Sequence, residues 1–236
     1  IDKAKKAILT TDTFAKEITV KFNIGKNTIT LCGIAKGAGM IAPNMATMLA
    51  FILTDANITQ KALNIALSIC VENSFNCITI DGCMSTNDSV IMLANGASMN
   101  ALIDLDKNFH SFVQALNFVC LELAKMIVRD AEGATKFIQI KVDKAKSVKE
   151  AKTVALSIAN SNLFKAAMYG ENPNFGRIIA SIGSSGIDVK EKDLKIKVSP
   201  LNKKEITVNV SINRGNSNAT VYTSDLTPEY VKINAE

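Results

Sequence analysis

The chain contains no tryptophan, a single histidine and 4 prolines among 236 residues. A mechanism built on serine, histidine and aspartate therefore has one candidate base, His110, and the helical pattern around it places this residue on a polar face. The 5 cysteines form no Cys-x-x-Cys pair, and several lie within apolar runs. This pattern argues against a zinc site and for a reducing compartment, so we expect no metal and a cytoplasmic location. We also expect no cofactor.

Long apolar runs are also lacking, because Pro43, Asn44 and Asp55 interrupt the best candidate. We therefore expect no membrane span, and no secretory signal is visible. The net charge of +5 is mild, and the lysines lack the interleaved aromatic residues of a single-strand binder, so we expect no nucleic-acid partner. With 47% apolar and 21% charged residues, the composition is that of a globular protein. The excess of basic over acidic residues suits a small anionic substrate.

The hydrophobic pattern predicts a mixture of strands and helices along the whole chain. Strands are expected at 15–23, 29–32, 48–54, 77–80, 137–142, 194–198, 206–212 and 219–223. Helices are expected at 60–71, 109–127 and 148–159, with two more helical pieces within 163–183. Because strands and helices do not alternate strictly, we predict an α+β fold in which mixed sheets are layered with helices.

One loop of small residues ends in a threonine just before the apolar run 48–54, which itself predicts a buried central strand. Its sequence is Lys36-Gly-Ala-Gly-Met-Ile-Ala-Pro-Asn-Met-Ala-Thr47. A threonine hydroxyl is a weak nucleophile that needs a base, and a cut before Thr47 would free an α-amino group to serve as one. The unperturbed pKa of that amine is about 7.7–8.0, so a useful fraction is neutral at physiological pH. Glycines in the loop allow the backbone dihedrals that strain a scissile bond.

This loop resembles the self-cleaving segment of the ornithine acetyltransferases, also called bifunctional glutamate N-acetyltransferases, of arginine biosynthesis. The resemblance continues in order along the chain. It covers Ala7–Thr13, Thr79–Gly82 with Ser85–Asp88, Glu132–Thr135, Asn172–Arg177 and Ile233–Glu236. Position 83 is Cys and position 166 is Ala, where the family usually has Asp and Thr, but neither is a position that the family uses for catalysis.

The resemblance implies an N-terminal-nucleophile-like sandwich and self-cleavage between Ala46 and Thr47. Residues 1–46 would be the C-terminal part of an α chain whose N-terminal portion this sequence does not contain, and residues 47–236 would be the β chain. We expect the two chains to stay together and to double into an α2β2 heterotetramer. The family's oxyanion-stabilising Thr-Gly pair and its last substrate contact are expected outside this sequence.

Five positions match the family's substrate-binding residues: Thr10, Lys36, Thr47, Glu132 and Asn234. Thr47 is also the expected nucleophile. The cation of Lys36 suits a substrate carboxylate, and the carboxylate of Glu132 suits the amino group of ornithine. Asn234 would add an amide, and we expect Lys36 and Glu132 to meet near Thr47.

The implied reaction moves the acetyl group of N-acetylornithine onto Thr47 and then onto glutamate, giving ornithine and N-acetylglutamate. Acetyl-CoA is an alternative donor for some members of the family. A second interpretation is an N-terminal-nucleophile amidohydrolase or aminopeptidase that uses the same Thr47 with water as acceptor. A third is an assembly module in which Thr47 is structural. The expected partners are small molecules and the sister chain from one precursor.

Overall fold

The computed structural model describes residues 2–42, 48–85 and 87–235. The chain divides into two units by its internal contacts. Unit 1 comprises Ile1–Asn76 and Cys83–Asp130, and unit 2 comprises Cys77–Gly82 and Ala131–Glu236. The expected processing point between residues 46 and 47 therefore falls within the sequence range of unit 1.

Unit 1 contains a four-stranded sheet in the order β1-β2-β3-β4. The strands are β1 (Lys16–Ile24), β2 (Asn27–Lys36), β3 (Leu49–Thr54) and β4 (Ser89–Ala94). Strand β3 is antiparallel to β2 and parallel to β4. The prediction of a central strand at 48–54 is confirmed, and its two neighbours come from before and after residue 47.

The described residues of unit 1 form the helices α1 (Asp2–Ala7), α2 (Gln60–Glu72) and α3 (Lys107–Arg129). The side chains of Thr59 and Asp106 accept backbone N–H groups at the starts of α2 and α3, as N-caps do. Helix α3 packs on β1 and β2, and α2 packs on α3. By length and composition alone α3 could cross a membrane, which the sequence analysis did not foresee. Its buried face contacts the sheet, so we interpret it as a core helix.

Unit 2 contains a second four-stranded sheet, in the order β6-β7-β5-β8. Its strands are β5 (Phe137–Ala145), β6 (Lys195–Val198), β7 (Glu205–Ser211) and β8 (Ser217–Ser224). Its helices are α4 (Val148–Ala159), α5 (Asn162–Tyr169), α6 (Phe175–Ser184) and α7 (Pro228–Ala235). The core forms between the sheet and α4, α5 and α6, with Ile138, Ile140, Val154 and Phe164 fully buried. Both units combine a mixed sheet with helices, so the predicted α+β class is confirmed.

The prediction of a strand at 77–80 was wrong. In that stretch Ile78 makes an isolated bridge to Tyr222 of β8, following a short 3₁₀ helix at Phe75–Cys77. The sequence analysis also missed α1, β4 and α7. Strand β4 reads Ser-Val-Ile-Met-Leu-Ala without polar alternation, so its apolar run had no diagnostic period. Helix α7 had a usable signal, because Thr227 precedes a proline at the first helical position.

Candidate functional site

The expected nucleophile Thr47 and its neighbour Ala46 lie outside the described residues. The described chain leading toward them has an unusual backbone. Gly37 has a φ of 148°, and a Cβ added there would come within 3.2 Å of Ile41 Cδ1. Met40 has a φ of 55°, in the left-handed region that non-glycine residues seldom adopt. The segment that follows β2 is thus held in a conformation that depends on glycine at position 37.

Two expected substrate contacts, Thr10 and Lys36, lie together in unit 1. The Nζ atom of Lys36 is 3.4 Å from the hydroxyl of Thr10, and 7% of the Lys36 residue is exposed. The hydroxyl is a weak partner for a buried ammonium group, because a neutral acceptor at this distance offsets little of the cost of desolvation. The pair therefore leaves Lys36 with capacity for an anionic ligand.

Asp12 organises this pair, although sequence reasoning did not single it out. Its Oδ1 accepts the backbone N–H of Gly37 at 2.7 Å, and its Oδ2 accepts the N–H of Thr10 at 3.2 Å. One carboxylate thus fixes the backbone at Thr10 and directly after Lys36. Burial acts to raise the pKa of Asp12, but the Gly37 amide and the Lys16 ammonium lower it overall. The group is therefore a carboxylate at neutral pH.

Lys16 links Asp12 to the end of helix α3. Its Nζ atom lies 2.5 Å from Asp12 Oδ1 and 2.5 Å from Asp130 Oδ2, and the three side chains are 0–1% exposed. Asp130 in turn accepts the backbone N–H of Thr13 at 3.0 Å and also its hydroxyl. Nothing local in the sequence reveals this cluster, because Asp130 stands 114 positions from Lys16.

The other two expected contacts, Glu132 and Asn234, lie together in unit 2. The Nδ2 atom of Asn234 donates to Glu132 Oε2 at 2.9 Å. Asn234 belongs to α7, while Glu132 precedes the turn into β5. This bond leaves the other oxygen of Glu132 for a ligand, so the two residues can act as one polar pair.

Helix α7 reaches Glu132 through a close backbone contact at Gly133. Thr227 donates its hydroxyl to the Gly133 carbonyl at 2.7 Å and accepts the N–H of Tyr230 at 3.1 Å. Gly133 has a φ of 64°, and a Cβ there would lie 2.5 Å from the Tyr230 nitrogen. The Tyr230 hydroxyl also donates to Asp81 at 3.3 Å. The absence of a side chain at Gly133 therefore sets the distance between α7 and Glu132.

We expect Gly133→Ala to displace α7 and to break the Glu132–Asn234 pair. The new methyl group would overlap the backbone of the helix, so one of the two segments must move. The free energy of unfolding should fall by about 1–3 kcal/mol, and the KM for the substrate that the resemblance assigns to this pair should rise on the order of tenfold. Thermal unfolding and steady-state kinetics on the complete gene product measure the two effects.

Gly186→Ala is the matched control, because Gly186 has a φ of 75° and an added Cβ would meet nothing within 4 Å. It carries the same backbone strain without the overlap, so it should lower stability and leave the KM unchanged. An equal rise in KM in both variants would refute the role of Gly133 in placing α7.

The motif Thr79–Gly82 is held in unit 2 by a buried lysine. Lys165 is 2% exposed and donates to the carbonyl of Ile80 and to the hydroxyl of Thr223. Burial lowers the pKa of Lys165 to about 8, against the opposing charges of Asp81 and Asp225. Thr79 adds a hydrogen bond of 2.7 Å to Asn160. These contacts fix the loop that carries Asp81, the partner of Tyr230.

Cys70, Cys120 and His110 are poorly suited to nucleophilic chemistry. Burial raises the pKa of the Cys70 thiol to about 12, and it raises that of Cys120 as well, so neither is a thiolate. His110 is exposed and pairs with Gln114 on the same helix. Within residues 2–42, 48–85 and 87–235, no group of three His, Cys, Asp or Glu side chains could hold a metal ion.

Comparison with known proteins finds similarity along nearly the whole chain, beyond the loop 36–47. The model of the ArgJ family matches residues 2–236. The chain belongs to the ArgJ family. The resemblance on which the site residues were predicted is therefore confirmed at the level of the family.

Curated relatives carry the same family name. The chain is 44% identical to the arginine biosynthesis bifunctional protein ArgJ 1 of Clostridium acetobutylicum, over 99% of this chain and 63% of that protein. It is 45% identical to the ArgJ of Staphylococcus saprophyticus, over 97% of this chain and 61% of that protein. The chain thus spans less than two thirds of the length of these relatives.

A solved structure has the same fold. The crystal structure of the arginine biosynthesis bifunctional protein ArgJ from Bacillus halodurans matches with a TM-score of 0.76 and 37% identity. The match covers 78% of this chain and 97% of that one. This similarity bears out the predicted sandwich of the ornithine acetyltransferase type.

Proposed function

We propose that this chain carries the catalytic part of a glutamate N-acetyltransferase of arginine biosynthesis, located in the cytoplasm. The observation that supports it most is family membership over residues 2–236, since the curated relatives are named as bifunctional proteins of arginine biosynthesis. The pairing of Thr10 with Lys36 and of Glu132 with Asn234 adds support, because four positions expected to bind substrate form two polar pairs.

The proposed reaction is a double displacement at Thr47. The α-amino group of Thr47 takes the hydroxyl proton while the oxygen attacks the acetyl carbon of N-acetylornithine. The amide C–N bond breaks, and the departing amine of ornithine receives that proton. The amine of glutamate then attacks the acetyl ester, its proton returns to the threonine oxygen, and N-acetylglutamate leaves. Lys36 would bind a substrate carboxylate, and Glu132 with Asn234 would bind the amino group of ornithine.

The proposed function also requires that the chain be cut and that its two parts stay together. Cleavage between Ala46 and Thr47 would give an α chain ending at residue 46 and a β chain of residues 47–236, assembled as α2β2. Strand β3 pairs with β2 and β4, so separation of the chains would expose apolar sheet at about 25 cal/mol per Å². The chains should therefore remain associated without a covalent link.

The test is to incubate the complete gene product with N-acetylornithine, with and without glutamate. With glutamate, ornithine and N-acetylglutamate should form in equal amounts. Without it, ornithine release should stop at about one equivalent per Thr47, as expected for an accumulating acyl-enzyme. Continued release of ornithine and acetate without glutamate would instead identify a hydrolase. A parallel reaction with acetyl-CoA and glutamate determines whether acetyl-CoA is also a donor.

A further inference from the structure

A polar cavity of about 350 Å³ lies in unit 2, where helix α4 ends, α5 begins and α6 packs beside both. Its lining includes Arg177 and a set of neutral polar side chains, Ser157, Asn160, Ser161, Ser181 and Ser184. None of the described residues that are expected to bind substrate lines it. Arg177 ends the motif Asn172–Arg177, which helped to indicate the family but has no role in the proposed reaction.

The guanidinium group of Arg177 is held in place, but most of its donors are unused. Its Nη1 atom donates to the carbonyl of Leu163 at 2.7 Å, and this bond joins α6 to α5. A guanidinium group carries five N–H donors in a planar fork. No described residue accepts a hydrogen bond from the Nε or Nη2 atom, and the side chain is half-buried. Arg177 can therefore bind a ligand through paired donors without losing its contact with α5.

Asn160 and Ser161 add two further donors to the lining of the cavity. Thr79 donates its hydroxyl to Asn160 Oδ1 at 2.7 Å, and this bond leaves the two protons of Asn160 Nδ2 on the other side of the amide. The Ser161 Oγ atom accepts the N–H of Phe164 at 3.3 Å, so the proton of this hydroxyl is not needed to cap α5. No described residue accepts a hydrogen bond from Asn160 Nδ2 or from the Ser161 hydroxyl. Both side chains therefore have donors available for a ligand.

The other hydroxyl groups form the wall of the cavity. Ser157 and Ser184 both donate to the carbonyl of Ser181, at 2.5 and 2.9 Å, and Ser181 donates to the carbonyl of Arg177 at 2.8 Å. Their protons are thus used within the protein, while the oxygens of Ser157 and Ser184 can still accept a ligand hydroxyl. The described lining has one cation and no carboxylate. Available donors around a cation favour an anionic ligand.

The number of donors favours a phosphate group over a carboxylate. The donors belong to three side chains, and a phosphate group offers three strong acceptor oxygens where a carboxylate offers two. Guanidinium groups frequently bind phosphate through two parallel hydrogen bonds, which matches the unused fork of Arg177. One water molecule takes about 30 Å³ in the liquid, so a cavity of about 350 Å³ also has room for a group attached to the phosphate.

We propose that this cavity binds a phosphate group, either free or carried by a small phosphorylated metabolite. Two N–H groups of Arg177 bind two phosphate oxygens side by side, and Asn160 and Ser161 donate to the third. The oxygens of Ser157 and Ser184 accept hydroxyl groups of the attached carbon chain. This site goes beyond the proposed function and does not depend on it, because no step of the acetyl transfer uses these residues.

Isothermal titration calorimetry on the complete gene product tests the site with inorganic phosphate, glycerol 3-phosphate, malonate and glycerol. We expect both phosphate compounds to bind, malonate to bind more weakly and glycerol not to bind. Tighter binding of glycerol 3-phosphate would assign the site to a phosphorylated metabolite, and equal binding would assign it to free phosphate; either result supports the proposal. Malonate binding as tightly as inorganic phosphate would overturn the assignment to phosphate. Absence of binding of both phosphate compounds at millimolar concentrations would overturn the site itself.

Variants of Arg177 test the main contact. Arg177→Met removes the cation and should weaken phosphate binding on the order of 100-fold, whereas Arg177→Lys keeps the charge without the planar fork and should weaken it about tenfold. Arg214→Met is the matched control, since Arg214 is another half-buried arginine of unit 2, paired with Glu150 at 2.7 Å and absent from the cavity lining. It loses the same charge and should bind phosphate as the wild type does. An equal loss of binding in both methionine variants would overturn the role of Arg177.

A second variant keeps the inference testable if Arg177→Met fails to fold. Asn160→Asp retains an oxygen that can accept the Thr79 hydroxyl, but it replaces a donor with a negative charge in the lining of the cavity. Phosphate binding should fall about tenfold or more, because like charges repel at close range, while the thermal unfolding temperature should stay near that of the wild type. Wild-type affinity for phosphate in Asn160→Asp would overturn the proposed contact.

Discussion

Thr47→Ala should yield a single uncut chain with acetyl transfer reduced on the order of 10⁵–10⁶-fold. The proposed mechanism uses the Thr47 hydroxyl twice, first to attack the carbonyl of Ala46 and then to carry the acetyl group. Removal of the nucleophile of a serine protease costs on the order of 10⁶ in rate, and we expect a loss of similar size here. Intact-mass measurement shows whether the chain is cut, and ornithine release measures the transfer.

Thr47→Ser is the matched control, because an uncut Thr47→Ala chain lacks both the hydroxyl and the free amine, whereas a cut serine variant has both. The serine variant retains a hydroxyl, so it should be cut before residue 47 and should retain measurable transfer. Efficient cleavage of the Thr47→Ala chain at the same bond would remove Thr47 from the proposed mechanism. An uncut wild-type chain with full activity would show that the free α-amine is not the base in the mechanism.

The second large effect is expected at Lys16. Lys16→Met keeps the volume of the side chain but leaves Asp12 and Asp130 facing each other without a cation, both almost completely buried. Removing one member of a buried ion cluster costs about 3–5 kcal/mol, because the remaining charges stay desolvated. Hydrogen exchange of the β1 and β2 amides reports the stability of this part of the molecule directly.

The pH dependence of this effect follows from Asp12. Its pKa in the folded protein lies below the ordinary value, so its carboxylate stabilises the fold above that value and the contribution is lost as the pH falls through the folded-state pKa. The difference between wild type and Lys16→Met should therefore shrink in acid. Thr10 and Lys36 depend on Asp12 for their backbone positions, so the variant should also raise the KM for N-acetylornithine.

Lys125→Met provides the matched control, since Lys125 pairs with Glu122 at 2.7 Å while their side chains remain 21% and 26% exposed. A surface pair of this kind contributes about 0–1 kcal/mol. If both lysine variants lost the same stability, the buried cluster would not have the energetic role described here.

The sequence by itself determined the elements whose patterns are local. The apolar positions of α3 recur at three- and four-residue spacings, so the helix was predicted without knowledge of its partners. The hairpin of β1 and β2 has its turn at Gly25, and the strand at 48–54 is a continuous apolar run. The ordered motifs also indicated the family and the substrate-binding positions, because each motif is a short, contiguous string.

Only the tertiary structure decided the features that depend on distant residues. Residues 77–80 have a strand-like composition, but Ile78 makes an isolated bridge to Tyr222 of β8 where a strand was predicted. The Lys16 cluster, the Thr79–Asn160 bond and the contact of Gly133 with α7 each join segments that no local pattern connects. A buried polar group is stable where its partners converge, and that convergence is set by the packing of whole elements. The sequence therefore named the residues expected to touch substrate, while the fold revealed the residues that hold them in place.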